Sequence, residues 1–240
     1  MKKIYKFLKN IIKFLFNKIR KLMLWAIIHF NRSYQPVGEI KDGARGRPES
    51  AFSERLKVLE SEIRDCSANN LLDIGCCEGF FPRQVSLKHN ILSLGIDGAG
   101  DRLNIGNALL ELNEEEGYGF ILKFLTPEDI VKLPSFDIVV CFSVLHHIVK
   151  VGGESEGVKF LKACSKITKK RFIFDMGGPE ETSHSWAKDM EFLKGDVVAE
   201  TKKFLEKAGF TDVRHVGDSW GHNSDAKRPI FSCKPINRDD

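Results

Sequence analysis

Leu71-Leu72-Asp73-Ile74-Gly75-Cys76-Cys77-Glu78-Gly79-Phe80 reads as a short buried strand that stops at an acid, turns on two glycines and opens a helix. Pro82 suits the first turn of that helix, where a missing N–H costs nothing. Glycines at 75 and 79 let backbone approach a ligand with no Cβ in the way. The helix start offers unpaired N–H groups to a carboxylate or phosphate. The stretch therefore predicts a nucleotide-like ligand beyond the end of a first strand.

The spacing differs from the G-x-G-x-x-G of dinucleotide sites. Asp73-x-Gly75-x-x-x-Gly79 instead resembles motif I of the class I (Rossmann-like) S-adenosylmethionine-dependent methyltransferases. Leu94-Gly95-Ile96-Asp97 is similar to that family's second strand, which ends in the acid that holds the ribose hydroxyls. Phe136-Asp137-Ile138-Val139-Val140-Cys141-Phe142-Ser143-Val144-Leu145-His146-His147 is similar to its fourth strand and the loop behind it. The three occur in family order between residues 50 and 235.

Elsewhere the pattern alternates strands with helices, which predicts a mostly parallel sheet covered on both faces. The expected strands are 71–74, 91–97, 120–125, 138–144 and 171–176, followed by a terminal pair at 212–216 and 230–234 around a long loop, 217–229. Helices are expected from a cap at Ser50 or Ser53 through Ile63, with Phe52, Leu56, Leu59 and Ile63 on one face, and over 82–88, 102–116, 127–133, 156–169, 186–193 and 197–208. No helix separates the last two strands, so the final one should run antiparallel. That ending agrees with the seven-stranded sheet the resemblance implies.

Residues 1–34 carry nine basic side chains and no acid, so a chain of net charge +4 has a body of −5. Polar residues at 2, 6, 9, 13, 17 and 20 recur by fours and threes, which keeps one stripe of a helix polar. Ile4, Phe7, Leu8, Ile11, Leu15, Ile19 and Leu22 fill the other side. From Leu22 to Phe30 the run is apolar all round, yet far short of the ~20 residues a membrane span needs. The expected organisation is an amphipathic N-terminal helix (1–34) lying on a membrane surface, a linker (35–48) rich in Gly and Pro, and the methyltransferase domain (49–240). The alternative is a helix that packs on the body or on a second copy. Six cysteines (66, 76, 77, 141, 164, 233) lack disulfide or metal-ligand spacing and read as small apolar residues in a reducing compartment.

The resemblance implies S-adenosylmethionine as cofactor, no metal, and a site at the carboxyl ends of the strands. Asp73 would order the loop and meet the sulfonium or amino end, with Gly75, Cys76, Gly79 and Phe80 shaping the pocket. Asp97 and Gly98 would hold the ribose. Glu128 and Asp129 would reach the adenine amine, Asp129 being preferred, although Thr126-Pro127 stands where the family has Gly-Asp. Ser143, His146 and His147 would floor the pocket near the transferred methyl, one histidine serving as general base or both merely packing. Asp175 ends the fifth strand as a third catalytic candidate. Residues 180–186, Trp220-Gly221-His222 and Arg228 would wall the acceptor side.

The sequence is similar to methyltransferases of bacterial surface-polysaccharide assembly in Gly79-Phe80-Phe81, in 143–148 and in the His222…Arg228 loop. It implies O-methylation of a glycan or lipid-linked saccharide by a cytoplasmic enzyme at the inner membrane face. An RNA methyltransferase using the basic arm on phosphate ranks second, since nucleic-acid arms interleave Arg, Gly and aromatics. A SAM-binding scaffold without activity is the third reading. No Asn-Pro-Pro-Tyr follows strand four, against the branch that methylates base amines. If the arm is a detachable module, removing residues 1–34 should leave cofactor affinity intact.

Overall fold

Successive side chains of a strand point to opposite faces, and the apolar residues of the central strands divide accordingly. The computed structural model describes residues 2–30, 33–36, 49–221 and 226–236. Its strands are β1 (Asn70–Ile74), β2 (Leu92–Asp97), β3 (Tyr118–Leu122), β4 (Phe136–Phe142), β5 (Thr168–Asp175), β6 (Phe210–Trp220) and β7 (Lys227–Pro235). They form one seven-stranded sheet in the order β3-β2-β1-β4-β5-β7-β6. Its helices are α1 (Lys2–Phe30), α2 (Ser53–Asp65), α3 (Phe80–His89), α4 (Gly100–Leu112), α5 (Pro127–Ile130), α6 (Leu145–Ile167) and α7 (Val197–Lys207). Leu72, Val139, Cys141, Phe172 and Phe174 meet α6 and α7 on one face. Leu71, Ile138, Val140 and Ile173 meet α2 and α3 on the other.

The first five strands pair in parallel, and β7 runs antiparallel between β5 and β6. Strand order reverses between β1 and β4, which opens a crevice above their carboxyl ends. Rossmann-like topology, helices on both faces and the antiparallel last strand all agree with the sequence.

Several boundaries differ from expectation. β3 starts at Tyr118, in register with Ser93, and ends at Leu122, so Lys123–Leu125 run on past the end of β2. α4 stops at Leu112, and Glu114 beyond it takes a left-handed φ of 54°. α6 opens at Leu145 with a segment that the sequence pattern does not show, and Gly153 (φ 75°, ψ 177°) breaks it from the part that continues to Ile167, where the pattern expects a helix. The expected loop at 217–229 is largely a hairpin: Gly217 pairs with Ile230, Asp218 with Pro229, Ser219 with Arg228 and Trp220 with Lys227. Here β7 has left β5, so Pro229 loses no partner on its open side.

α1 explains its own sequence. Lys13, Asn17, Arg20, Leu24 and Ile28 follow by fours and threes and therefore share one side. On that side Leu24 and Ile28 bury against Ile105, Ala108 and Leu109 of α4. Arg20 and Lys21 pair with Glu111 and Glu114 at 2.6 and 3.2 Å. Exposed pairs of this kind contribute little, whereas each buried aliphatic is worth about 1.5–3 kcal/mol. The polar stripe turns apolar after Leu22 because the body covers it there. The opposite side (Ile11, Leu15, Ile19 and Leu22, flanked by Ile12 and Phe16) stays exposed. No helix among the described residues is long and apolar enough to cross a membrane.

Candidate active site

The bend after β1 is held by backbone and packed from outside. Gly75 (φ 78°) donates its N–H to Ile96 O at 2.8 Å, and a Cβ there would collide with Val144. Gly79 (φ 82°) lies against the Phe120 ring, which a Cβ would overlap. Asp97, at the end of β2, accepts Cys77 N–H on Oδ2 and Ala99 N–H on Oδ1, both at 2.8 Å. Its carboxylate thus ties the glycine bend to the second strand. Phe124 lies over Gly98 so closely that a Cβ there would push its exposed ring aside.

A cleft of about 780 Å³ opens above this bend, lined by Asp73, Gly75, Asp97, Gly98, Ser143, His146 and His147 among others. Asp73 is 2% exposed, and its buried Oδ2 has no hydrogen-bond partner among the described residues. Burial, then the charge of Asp97, pushes its pKa up to about 8 against the pull of Arg55. A buried carboxylate oxygen left unpaired is costly, and a cationic group entering the cleft would satisfy it.

Two buried arginines enter from different elements. Arg55 of α2 donates Nε–H to Asp175 Oδ2 (2.6 Å) and a second N–H to Ser143 Oγ (2.7 Å). Arg228 of β7 forks onto Glu181, both bonds 2.8 Å, and donates a third N–H to Ser143 Oγ at 2.8 Å. Ser143 itself has φ 59°, a strained value for a side-chain-bearing residue. Asp175 fixes it there by accepting Ser143 N–H at 2.9 Å and Oγ–H at 3.2 Å.

The histidines part company at α6. His146 is buried and its Nδ1 accepts Gly177 N–H at 3.1 Å, so the neutral ring carries its proton on Nε2. Burial, with the charges of His147 and Arg228, lowers its pKa to about 2. That ring offers no lone pair to a proton. His147 stands at the cleft mouth and makes no ring hydrogen bond among the described residues. Partial burial, then Arg228, Lys150 and His184, lowers its pKa below 6.5. The rings of His184, Trp186, His146 and His147 form a continuous wall with centroids 4.3–5.0 Å apart.

The remaining sequence candidates lie elsewhere. Cys76 is buried beneath Gly95, and Phe80 joins the Phe52 and Phe81 rings in the core. Gly79 shapes the bend without lining the cleft. Asp175 is fully buried behind Ser143 and holds neighbours in place. Glu128 and Asp129 do not reach the cleft. Thr126 and Asp129 form a capping box that starts α5, and Lys123 pairs with Asp129 at 3.1 Å. Lys123, Phe124 and Leu125 line the cleft in their place. Trp186 and Arg228 lie in the wall as expected, Trp220 instead stands exposed with Lys227 over its ring, and His222 falls outside the described residues.

Sequence reading missed Arg55, Tyr34 and Gln35, and it placed Glu181 on the acceptor wall without its pairing to Arg228. Arg55 had a signal, a cation on the apolar side of α2 between Phe52 and Leu59. Tyr34 and Gln35 had none.

The methyltransferase domain family matches residues 72–174. The O-antigen chain terminator bifunctional methyltransferase/kinase WbdD of Escherichia coli is 27% identical over 186 residues, covering 75% of this chain and 24% of that protein. The chain thus spans about a quarter of the length of the curated relatives it matches. A crystal structure of WbdD superimposes with a TM-score of 0.73 at 25% identity, over 88% of this chain and 46% of that one. The N-terminal domain of EvdMO1, solved in the presence of SAH and D-fucose, shares the fold at a TM-score of 0.63 and 15% identity, over 90% of this chain and 97% of that one. Motif order, sheet topology, the unpaired acid above the glycine bend and these relatives agree, and the chain carries a Rossmann-like methyltransferase domain, matched over residues 72–174 and similar to that of WbdD.

Proposed function

We propose that this chain methylates an oxygen of a membrane-associated glycan or lipid-linked saccharide, with α1 resting on the membrane surface. When bound, S-adenosylmethionine supplies a methyl group already activated on a sulfonium, so the protein's task is alignment and proton removal. The unpaired Asp73 oxygen carries this reading for the donor, because it awaits a positive charge and the donor has two. Each Asp97 oxygen takes one backbone N–H and keeps a lone pair for a ribose hydroxyl. Phe124 and Gly98 give the flat edge of the donor a wall, and Arg55 offers a guanidinium to its carboxylate. His147 takes the acceptor's proton, since its lowered pKa leaves the ring neutral at pH 7.

For the acceptor, support comes from WbdD, whose name assigns it to O-antigen chain termination. For the membrane, support comes from α1. Its body-facing side, which carries Lys13 and Arg20, is the polar one, and its broad apolar side faces outward with Lys9 and Lys18 exposed at its margins. An outward apolar face beside lysines suits an anionic bilayer surface.

The test incubates the chain and methyl-labelled donor with fractionated cells. Label is expected in the lipid-extractable saccharide, in an alkali-stable linkage. Label found only in RNA would overturn the acceptor, and donor turnover into no fraction would favour the inactive scaffold.

A further inference from the structure

Residues 33–36 follow α1 and return to the glycine bend. Glu78, 3% exposed inside that bend, accepts Tyr34 N–H at 2.6 Å and Gln35 N–H at 3.1 Å on its two oxygens. Arg102, from the first turn of α4, pairs with the same carboxylate at 2.9 Å. Gln35 completes the exchange: its side-chain oxygen accepts Phe80 N–H at 3.0 Å. Gly79, which precedes α3, has no side chain to cap that helix start, so Gln35 caps it from 45 residues away. Tyr34 and Gln35 line the cleft.

The contacts close a ring. α1 packs on α4 through Leu24 and Ile28, α4 reaches Glu78 through Arg102, Glu78 holds 33–36, and that strap continues into α1. Breaking any one link loosens the others, and one link is a wall of the cleft.

We propose that Glu78 and Gln35 are positioning residues that make the strap 33–36 part of the donor pocket, so that the seating of α1 on α4 and the binding of donor are coupled. The proposal rests on the donor occupying this cleft. Coupling of this kind requires a residue remote from the ligand to change its affinity. Ile28 is such a residue, buried on α4 and absent from the cleft lining. The coupling also reverses the expectation for a detachable arm: removing residues 1–34 should weaken donor binding.

The test is calorimetric titration of the full chain with S-adenosylhomocysteine, with folding followed separately by thermal melts. Ile28→Ser and Gln35→Ala are each expected to weaken binding about tenfold, the worth of one lost hydrogen bond to a preorganised site. The double variant should bind no worse than the weaker single, because both open the same ring. Should Gln35→Ala fail to fold, Glu78→Gln replaces it in the cycle, keeping an acceptor for the strap while losing the charge that holds Arg102. Wild-type affinity in Ile28→Ser, or losses that simply add, would overturn the coupling while leaving the donor site intact. No binding by the unmodified chain would remove the donor site itself, and the proposal with it.

Discussion

His146 and His147 occupy consecutive positions at the start of α6, where a helical turn sends one ring inward and the other to the cleft mouth. The buried ring spends its Nδ1 on Gly177, and the outer ring keeps its nitrogens for a substrate. His147→Gln is expected to slow methyl transfer about 10²–10⁴-fold, the usual worth of a positioned base. In the unmodified protein the rate should fall on the acid side with a midpoint below 6.5 and stay level above neutrality. An acid limb that survives in His147→Gln would exclude this imidazole. His146→Asn, by contrast, should lower the melting temperature while preserving that limb.

At the scale of elements, α1 is held by its inner side and available on its outer one. Substituting Phe16 and Ile19 by serine together removes two exposed apolar side chains that lie outside the apolar cluster joining α1 to α4. Flotation with anionic vesicles should lose most of the bound protein, while melting temperature and donor affinity in free solution stay unchanged. Retention of vesicle binding would assign the surface to another element. Legibility also varies by element. β1, β2 and β4 declare themselves because each is an apolar run ending at an acid or a turn. Thr126-x-x-Asp129 is legible too, as a helix cap, and reading Asp129 as a ligand overlooked that local signal. The outer half of the β6–β7 hairpin is polar and is held by its backbone ladder, so alternation of apolar residues cannot reveal it.

The whole molecule carries the electrostatic cost of its cleft. Asp73 ionises near 3.9 in an unfolded chain but only at about 8 in the donor-free fold. The fold therefore keeps a proton that the unfolded chain releases. The stability tied to that proton is fully present below pH 4 and is lost progressively as pH rises to about 8. Asp73→Asn should consequently raise the melting temperature of the donor-free protein at pH 8 relative to wild type, and abolish most donor binding. A melting temperature that is equal or lower at pH 8 would show that Asp73 is already ionised and paired. Such long-range balances escape sequence reading. Arg55 meets Asp175 across 120 positions, and Gln35 meets Phe80 across 45, with no periodicity to mark either contact.

The outward side of α1 has one more consequence, for the protein as a material. Aliphatic and aromatic groups left in water along three turns of helix attract whatever apolar surface is nearest. In a lipid-free tube that surface is another molecule of the same chain, so colloidal behaviour tracks concentration. A mild detergent that covers those groups is expected to keep such a preparation monodisperse.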